Sequence, residues 1–151
     1  MDIDNNNQQS PSKAKPKSGL KIASIGAGYV GGPLMSVLAS KHHDHTFVVY
    51  DINRNLIEKW QTPTLPVYEE GLKVLVEEGL KRKNLIFTCD KQIAFEDTDF
   101  IFICVNTPTK MYGKGKGYAH DLKYIESCMN DLALYYKNVD MQKVSNPSKK
   151  M

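Results

Sequence analysis

Gly26, Gly28 and Gly31, in the run Ile25-Gly26-Ala27-Gly28-Tyr29-Val30-Gly31, have the spacing with which a backbone wraps a diphosphate, and Asp51 follows at the end of the next apolar run. The first glycine lets the chain turn sharply out of a strand, the second leaves room where a side chain would strike a pyrophosphate, and the third lets a helix sit close to the sheet. Free amides at that helix start, with the positive end of the helix dipole behind them, form an anion site that needs no cationic side chain. A carboxylate about 20 residues beyond the last glycine can accept the hydroxyls of an adenosine ribose and repels a 2′-phosphate. The pattern predicts a dinucleotide site made by Gly26, Ala27, Gly28, Tyr29, Val30, Gly31 and Asp51, with NAD favoured over NADP. Arg54 joins the set, and blurs the preference, because a nearby guanidinium could accept a 2′-phosphate. Two plainer readings stand beside this one: a tight strand-to-helix turn that binds nothing, and an Asp51-Ile52-Asn53 segment that merely caps the next helix. The spacing tips the balance toward a ligand.

The elements that must position these residues follow from hydrophobic patterning. Leu20 to Ile25 reads as a strand and Val30 to Ser40 as a helix with Pro33 in its first turn. Thr46 to Tyr50 is apolar enough to be buried on both faces, which points to a parallel sheet covered above and below. Asn53 to Trp60 is a short helix; Pro63 and Pro66 then forbid regular structure, and a helix is expected from about Glu69 to Leu80, tolerating Gly71. Asn84 to Thr88, Lys91 to Glu96 and Phe100 to Val105 read as strand, helix and strand. Asn106, Thr107, Pro108 and Thr109 then leave the carboxyl end of that strand, the edge where open α/β sheets place ligands, and are predicted to touch the cofactor. Lys110 to Tyr118 is a glycine-lysine loop without the Gly-Lys-Ser/Thr ending of an ATP-binding loop. His120 and Asp121 open a long helix to about Lys137, with Leu122, Ile125, Met129, Leu132, Leu134 and Tyr136 as its core stripe. The fold class is α/β, a Rossmann-type doubly wound parallel sheet in a single domain, whose last strands could be lacking.

Composition narrows the function classes. Lys and Arg number 20 against 17 Asp and Glu, a net charge of +3. That balance gives no nucleic-acid footprint. No stretch approaches the roughly 20 apolar residues of a membrane helix, and the start of the chain has no apolar signal core, so a cytoplasmic protein is expected. Residues 1–18 are a polar leader too poor in apolar groups to order, with a weak basic patch at Lys13, Lys15 and Lys17. Cys89, Cys104 and Cys128 lack paired metal spacings and are read as reduced structural thiols. His42, His43, Asp44 and His45 are adjacent in one short loop, an arrangement that rarely converges on one ion. No metal is expected.

Three segments together carry a family resemblance: Ile25 to Pro33 with its glycines, Pro63-Thr64-Leu65-Pro66-Val67-Tyr68-Glu69, and Val105-Asn106-Thr107-Pro108-Thr109-Lys110. The chain resembles the N-terminal domain of the UDP-glucose 6-dehydrogenase family from about Leu20 to Lys137. Members of that family oxidise the C6 alcohol of UDP-glucose to a carboxylate through two hydride transfers to NAD and thiol-bound intermediates. The resemblance implies NAD as cofactor, with Gly26 to Gly31 and Asp51 on the adenosine and pyrophosphate, Val105 to Thr109 lining the adenine and ribose side and the approach to nicotinamide, and Lys110 bordering a regulatory loop. Leu56 stands where the family often has an arginine, and Glu70 where proline is usual.

Residues 138–151 are read as a divergent polar tail in place of the family's next buried strand, and none of the three cysteines lies in the glycine-rich context of the family's nucleophile. No catalytic residue is therefore assigned. The expectation is an NAD-binding domain without independent turnover, acting on UDP-glucose only if another chain supplies the catalytic half. The alternatives are a non-catalytic regulatory module that associates with a full-length paralogue, or an inactive truncated copy.

Overall fold

The computed structural model describes residues 19–145, with side chains through Met141. The leader at 1–18, its three lysines, and the last residues at 146–151 lie outside the described residues. Four strands, β1 (Lys21–Ile25), β2 (Thr46–Tyr50), β3 (Leu85–Thr88) and β4 (Phe100–Ile103), form one parallel sheet in the order β3-β2-β1-β4. This is an α/β, Rossmann-type sheet. Ile25 is level with Tyr50 on one side and Ile103 on the other, so the carboxyl ends of β2, β1 and β4 open at one edge. The chain winds outward from β1 through β2 to β3, then crosses back over the sheet to β4. That reversal places a topological switch point between β1 and β4.

Two apolar clusters hold the layers. Helices α1 (Gly31–Lys41), α2 (Arg54–Trp60) and α3 (Leu72–Arg82) accompany a core of Met35, Phe47, Val49, Ile57, Trp60, Val76 and Leu85. On the opposite face, α4 (Lys91–Phe95) and α5 (Lys123–Ser145) bring Phe95, Cys128, Leu132 and Tyr135 against Ala23, Val48 and Tyr50. Strands buried from both sides explain the uninterrupted apolar run Phe47-Val48-Val49. Local caps set the helix starts: Asn53 accepts from Leu56 N at 3.2 Å, and Asp90 accepts from Gln92 N at 2.7 Å.

Four expectations change. The α3 helix starts at Leu72 rather than Glu69, because Gly71 sits at its N-cap with φ 78°, a left-handed conformation outside the helix. Strand β4 stops at Ile103, short of Val105. The long helix starts at Lys123, where Asp121 accepts from Lys123 N at 3.1 Å, and runs beyond Lys137 to Ser145. Its inward stripe is Ile125, Cys128, Leu132, Tyr135 and Val139, all half-buried. Of the stripe expected from sequence, Leu122, Met129, Leu134 and Tyr136 are exposed. The 3.6-residue period splits that set between two faces: Ile125 and Leu132 point inward, and Tyr136, though exposed, donates its hydroxyl to Phe95 O at 3.0 Å.

Candidate functional site

The glycine turn is built by close backbone approaches. Gly26 has φ 106° and donates its N–H to Tyr50 O at 2.8 Å, while Cys104 N reaches Ile25 O at 2.7 Å, so β1, β2 and β4 converge on the turn. A Cβ on Gly26 would lie 2.5 Å from Cys104 O. One on Gly31 would overlap the Gly26 carbonyl, and one on Gly32 would overlap the Trp60 ring. Gly28 is different: a Cβ there meets nothing within 4 Å. The fold itself has no use for the missing side chain at Gly28, whereas it needs its absence at the other three.

The α1 helix begins without help from the protein. Val30 occupies its N-cap, no side chain caps it, and its first turn contains no acid. Most helices satisfy these first amides with a Ser, Thr, Asp or Asn oxygen. Here the opening amides and the dipole's positive end are left for an anion. The uncapped start together with the open space at Gly28 fits a diphosphate.

Asp51 is held at the end of β2 by two amides. Its Oδ2 accepts Ala27 N at 2.8 Å, 24 residues back in the chain, and its Oδ1 accepts Asn53 N at 2.8 Å. Each carboxylate oxygen keeps lone-pair capacity for a further donor. Asp51 thus closes the turn out of β2, while the cap of α2 belongs to Asn53. The carboxylate is tied to the glycine turn, a link that capping alone does not call for.

Gly26, Gly28, Asp51, Val105 and Asn106 line one crevice of about 410 Å³ at the switch point, a volume within the range of nucleotide and cofactor pockets. Ala27, Tyr29, Val30 and Gly31 stand in the glycine turn without lining it, and the Tyr29 and Val30 side chains point to solvent. Arg54 is exposed at the first position of α2, and it is Leu56 that reaches the crevice. Thr107, Pro108 and Thr109 turn away toward the start of α5: Asp121 N donates to Pro108 O at 2.6 Å, a His120 ring nitrogen lies 3.2 Å from Thr107 O, and Thr109 bridges His120. The glycine-lysine loop closes on itself, with Gly117 N on Lys110 O at 2.9 Å.

Sequence reasoning missed two features. Trp60 donates Nε1–H to Ala27 O at 2.8 Å while stacking on Phe87, so a core indole anchors the glycine turn from beneath. Its only sequence signal was Gly32, whose absent side chain makes room for it. The second feature is the far wall of the crevice, where Lys91 and Phe95 of α4 meet Tyr124, Ser127, Cys128, Asp131 and Leu132 of α5. The spacing of 124, 127/128 and 131/132 is one face of a helix.

The thiols in the crevice are not poised as nucleophiles. Burial pushes the Cys104 thiol up, and burial followed by the Asp131 and Asp51 carboxylates pushes Cys128 up despite the opposing Lys91. Both stay protonated near neutral pH, where only a thiolate attacks. Among the described residues no helix is long and apolar enough to cross a membrane.

Comparison with known proteins agrees with this geometry. The sequence profile described as "UDP-glucose/GDP-mannose dehydrogenase family, NAD binding domain" matches residues 20–147, past the Lys137 limit read from the motifs. UDP-glucose 6-dehydrogenase of Bos taurus is 54% identical over 108 residues, which make up 72% of this chain and 22% of that protein. The Caenorhabditis elegans enzyme is 47% identical over 115 residues, 76% of this chain and 24% of the relative. Among solved structures, the ternary complex of GDP-mannose dehydrogenase from Pseudomonas aeruginosa superimposes with a TM-score of 0.61 at 33% identity, over 71% of this chain and 23% of that one. A UDP-glucose dehydrogenase from Pyrobaculum islandicum gives 0.63 at 27% identity, over 78% and 26%. The chain thus spans less than a quarter of the length of these curated relatives. It belongs to the UDP-glucose/GDP-mannose dehydrogenase family and carries that family's NAD-binding domain.

Proposed function

We propose that this domain holds NAD across the switch point, with the pyrophosphate on the opening amides of α1 and the adenosine ribose on Asp51. Gly26, Ala27, Gly28, Tyr29, Val30 and Gly31 contribute backbone to the first contact, so the outward side chains of Tyr29 and Val30 do not count against them. Val105 and Asn106 border the ribose and base, Thr107, Pro108 and Thr109 form the turn leading toward the nicotinamide end, and Arg54 stands at the rim near the ribose. The observation that carries this reading is the pairing of an uncapped helix start with a glycine whose missing Cβ faces open space. NAD supplies a hydride acceptor; the chain's own residues bind and orient it.

The activity proposed for the whole assembly is oxidation of UDP-glucose to UDP-glucuronate. The crevice offers only protonated thiols for a covalent step, so the sugar-nucleotide site and the reactive thiolate come from other residues, whether on the same polypeptide or on a full-length partner subunit. Association with such a subunit is favoured by the outer edge of β4, where Phe100 and Phe102 are 58% and 45% exposed. Unpaired free thiols fit a reducing, cytoplasmic setting.

Isothermal titration with NAD and NADP tests the reading. One NAD per chain, bound more tightly than NADP, supports it; no heat with either contradicts it. Mixing the protein with UDP-glucose and NAD should give no NADH until a catalytic partner is added.

A further inference from the structure

The wall of the crevice opposite Asp51 contains an ion pair that cofactor binding as described above leaves unused. Lys91 Nζ, at the start of α4, lies 3.1 Å from Asp131 Oδ2 on α5, and both residues line the same crevice as Asp51. Asp51, Cys128 and Asp131 line this one crevice, and both carboxylates raise the pKa of the Cys128 thiol. Tyr50 and Phe95 close its floor with apolar ring surface. The pair is partly open to water, with side chains 41% and 54% exposed, so it adds little to stability. Its chemistry at a ligand is more specific.

A base attached to a ribose held by Asp51 would lie between Ile52 and Leu56 on one side and the Tyr124, Cys128 and Leu132 face of α5 on the other. Its polar edge would then meet the ion pair. The edge of adenine presents an amino donor at C6 beside an acceptor at N1. A carboxylate beside an ammonium is the complementary array, because the carboxylate only accepts and the ammonium only donates. Hypoxanthine reverses the pattern, with a carbonyl acceptor at C6 and an N1–H donor. Such reversal leaves polar groups mispaired, which is how hydrogen-bonding sites reject close analogues.

We propose that Lys91 and Asp131 read the adenine edge of the dinucleotide, Asp131 accepting from the C6 amino group and Lys91 donating to N1. The proposal rests on the NAD-binding reading above and makes the pair a specificity determinant for the base. It predicts discrimination between NAD and nicotinamide hypoxanthine dinucleotide, which differ only at that edge.

The test is calorimetric titration of the whole chain with each dinucleotide. The wild-type protein should bind NAD about tenfold more tightly, the worth of one hydrogen bond to a charged group at a partly hydrated site. Asp131→Asn, whose amide can accept or donate, should bring the ratio close to one. Lys91→Met should also reduce it. A role limited to holding α5 would weaken both dinucleotides together and leave the ratio unchanged, which overturns the proposal, as would equal affinities for the wild-type protein. Failure of both dinucleotides to bind would instead overturn the NAD reading on which it rests.

Discussion

Gly28→Ala separates the needs of the fold from those of the ligand. A Cβ at this position meets no protein atom within 4 Å, whereas at Gly31 it would overlap the Gly26 carbonyl. The alanine chain should therefore fold at least as well as the wild type, with a gain of up to about 1 kcal/mol from reduced freedom of the unfolded chain. The added methyl stands where the pyrophosphate is proposed to lie. At an NAD concentration of 100 times its Kd, the wild-type protein gains about 2.7 kcal/mol. For a domain of this size that raises the melting temperature by about 10 °C. A hundredfold loss of affinity in Gly28→Ala would leave about 0.4 kcal/mol of that gain. Scanning calorimetry with and without NAD measures both quantities in one experiment. An alanine variant that melts like the wild type and still shows the full NAD shift would refute the ligand placement. One that fails to fold would refute the account of Gly28 itself. Gly31→Ala is the control and should destabilise the protein whether or not NAD is present, by about 1–3 kcal/mol or more.

Other substitutions probe the supports of the same turn. Asp51→Asn leaves one oxygen for two amides, so one of Ala27 N and Asn53 N faces an NH2 group; stability should fall by about 1–3 kcal/mol, and titration should show NAD weakened relative to NADP. Trp60→Phe preserves ring contact with Phe87 but removes the donor to Ala27 O, so urea unfolding should report a loss of about 1–2 kcal/mol and NAD affinity should drop. Alkali should act through Cys104, Cys128 and Tyr50, whose pKa values burial raises in the folded state. Their contribution to stability is fully present below the unfolded thiol pKa of about 8.5 and is lost as pH rises through the folded values, so denaturation midpoints should decline from that pH upward. In Cys104→Ser/Cys128→Ser that decline should begin nearer the tyrosine range, about pH 10.

The sequence disclosed the glycine turn and Asp51 because both depend on local chemistry: a positive φ at Gly26, a close approach at Gly31, an acid at a strand end. The bounds of β2 were legible for similar reasons, since Phe47-Val48-Val49 is buried on both faces. Residues brought in from a distance were not. Trp60 lies 33 positions from the carbonyl it binds, and Lys91 lies 40 from Asp131. Neither partnership leaves a mark on its own helix. The α5 stripe failed for a different reason: that helix has apolar residues on two faces, so hydrophobicity alone did not say which face turns inward. Arg54 is exposed at the first position of α2 while Leu56 reaches the crevice, a choice of inner residue set by the phase of the helix start, which spacing along the chain does not give.

Amide chemical shifts of the labelled chain during titration with NAD address the central claim directly. Binding as described should move the amides of residues 26–32 most, then those near Asp51 and Asn106, and should leave the 42–45 loop at the other end of α1 unchanged. Unmoved glycine amides at saturating NAD, or shifts concentrated away from the switch point, would contradict it.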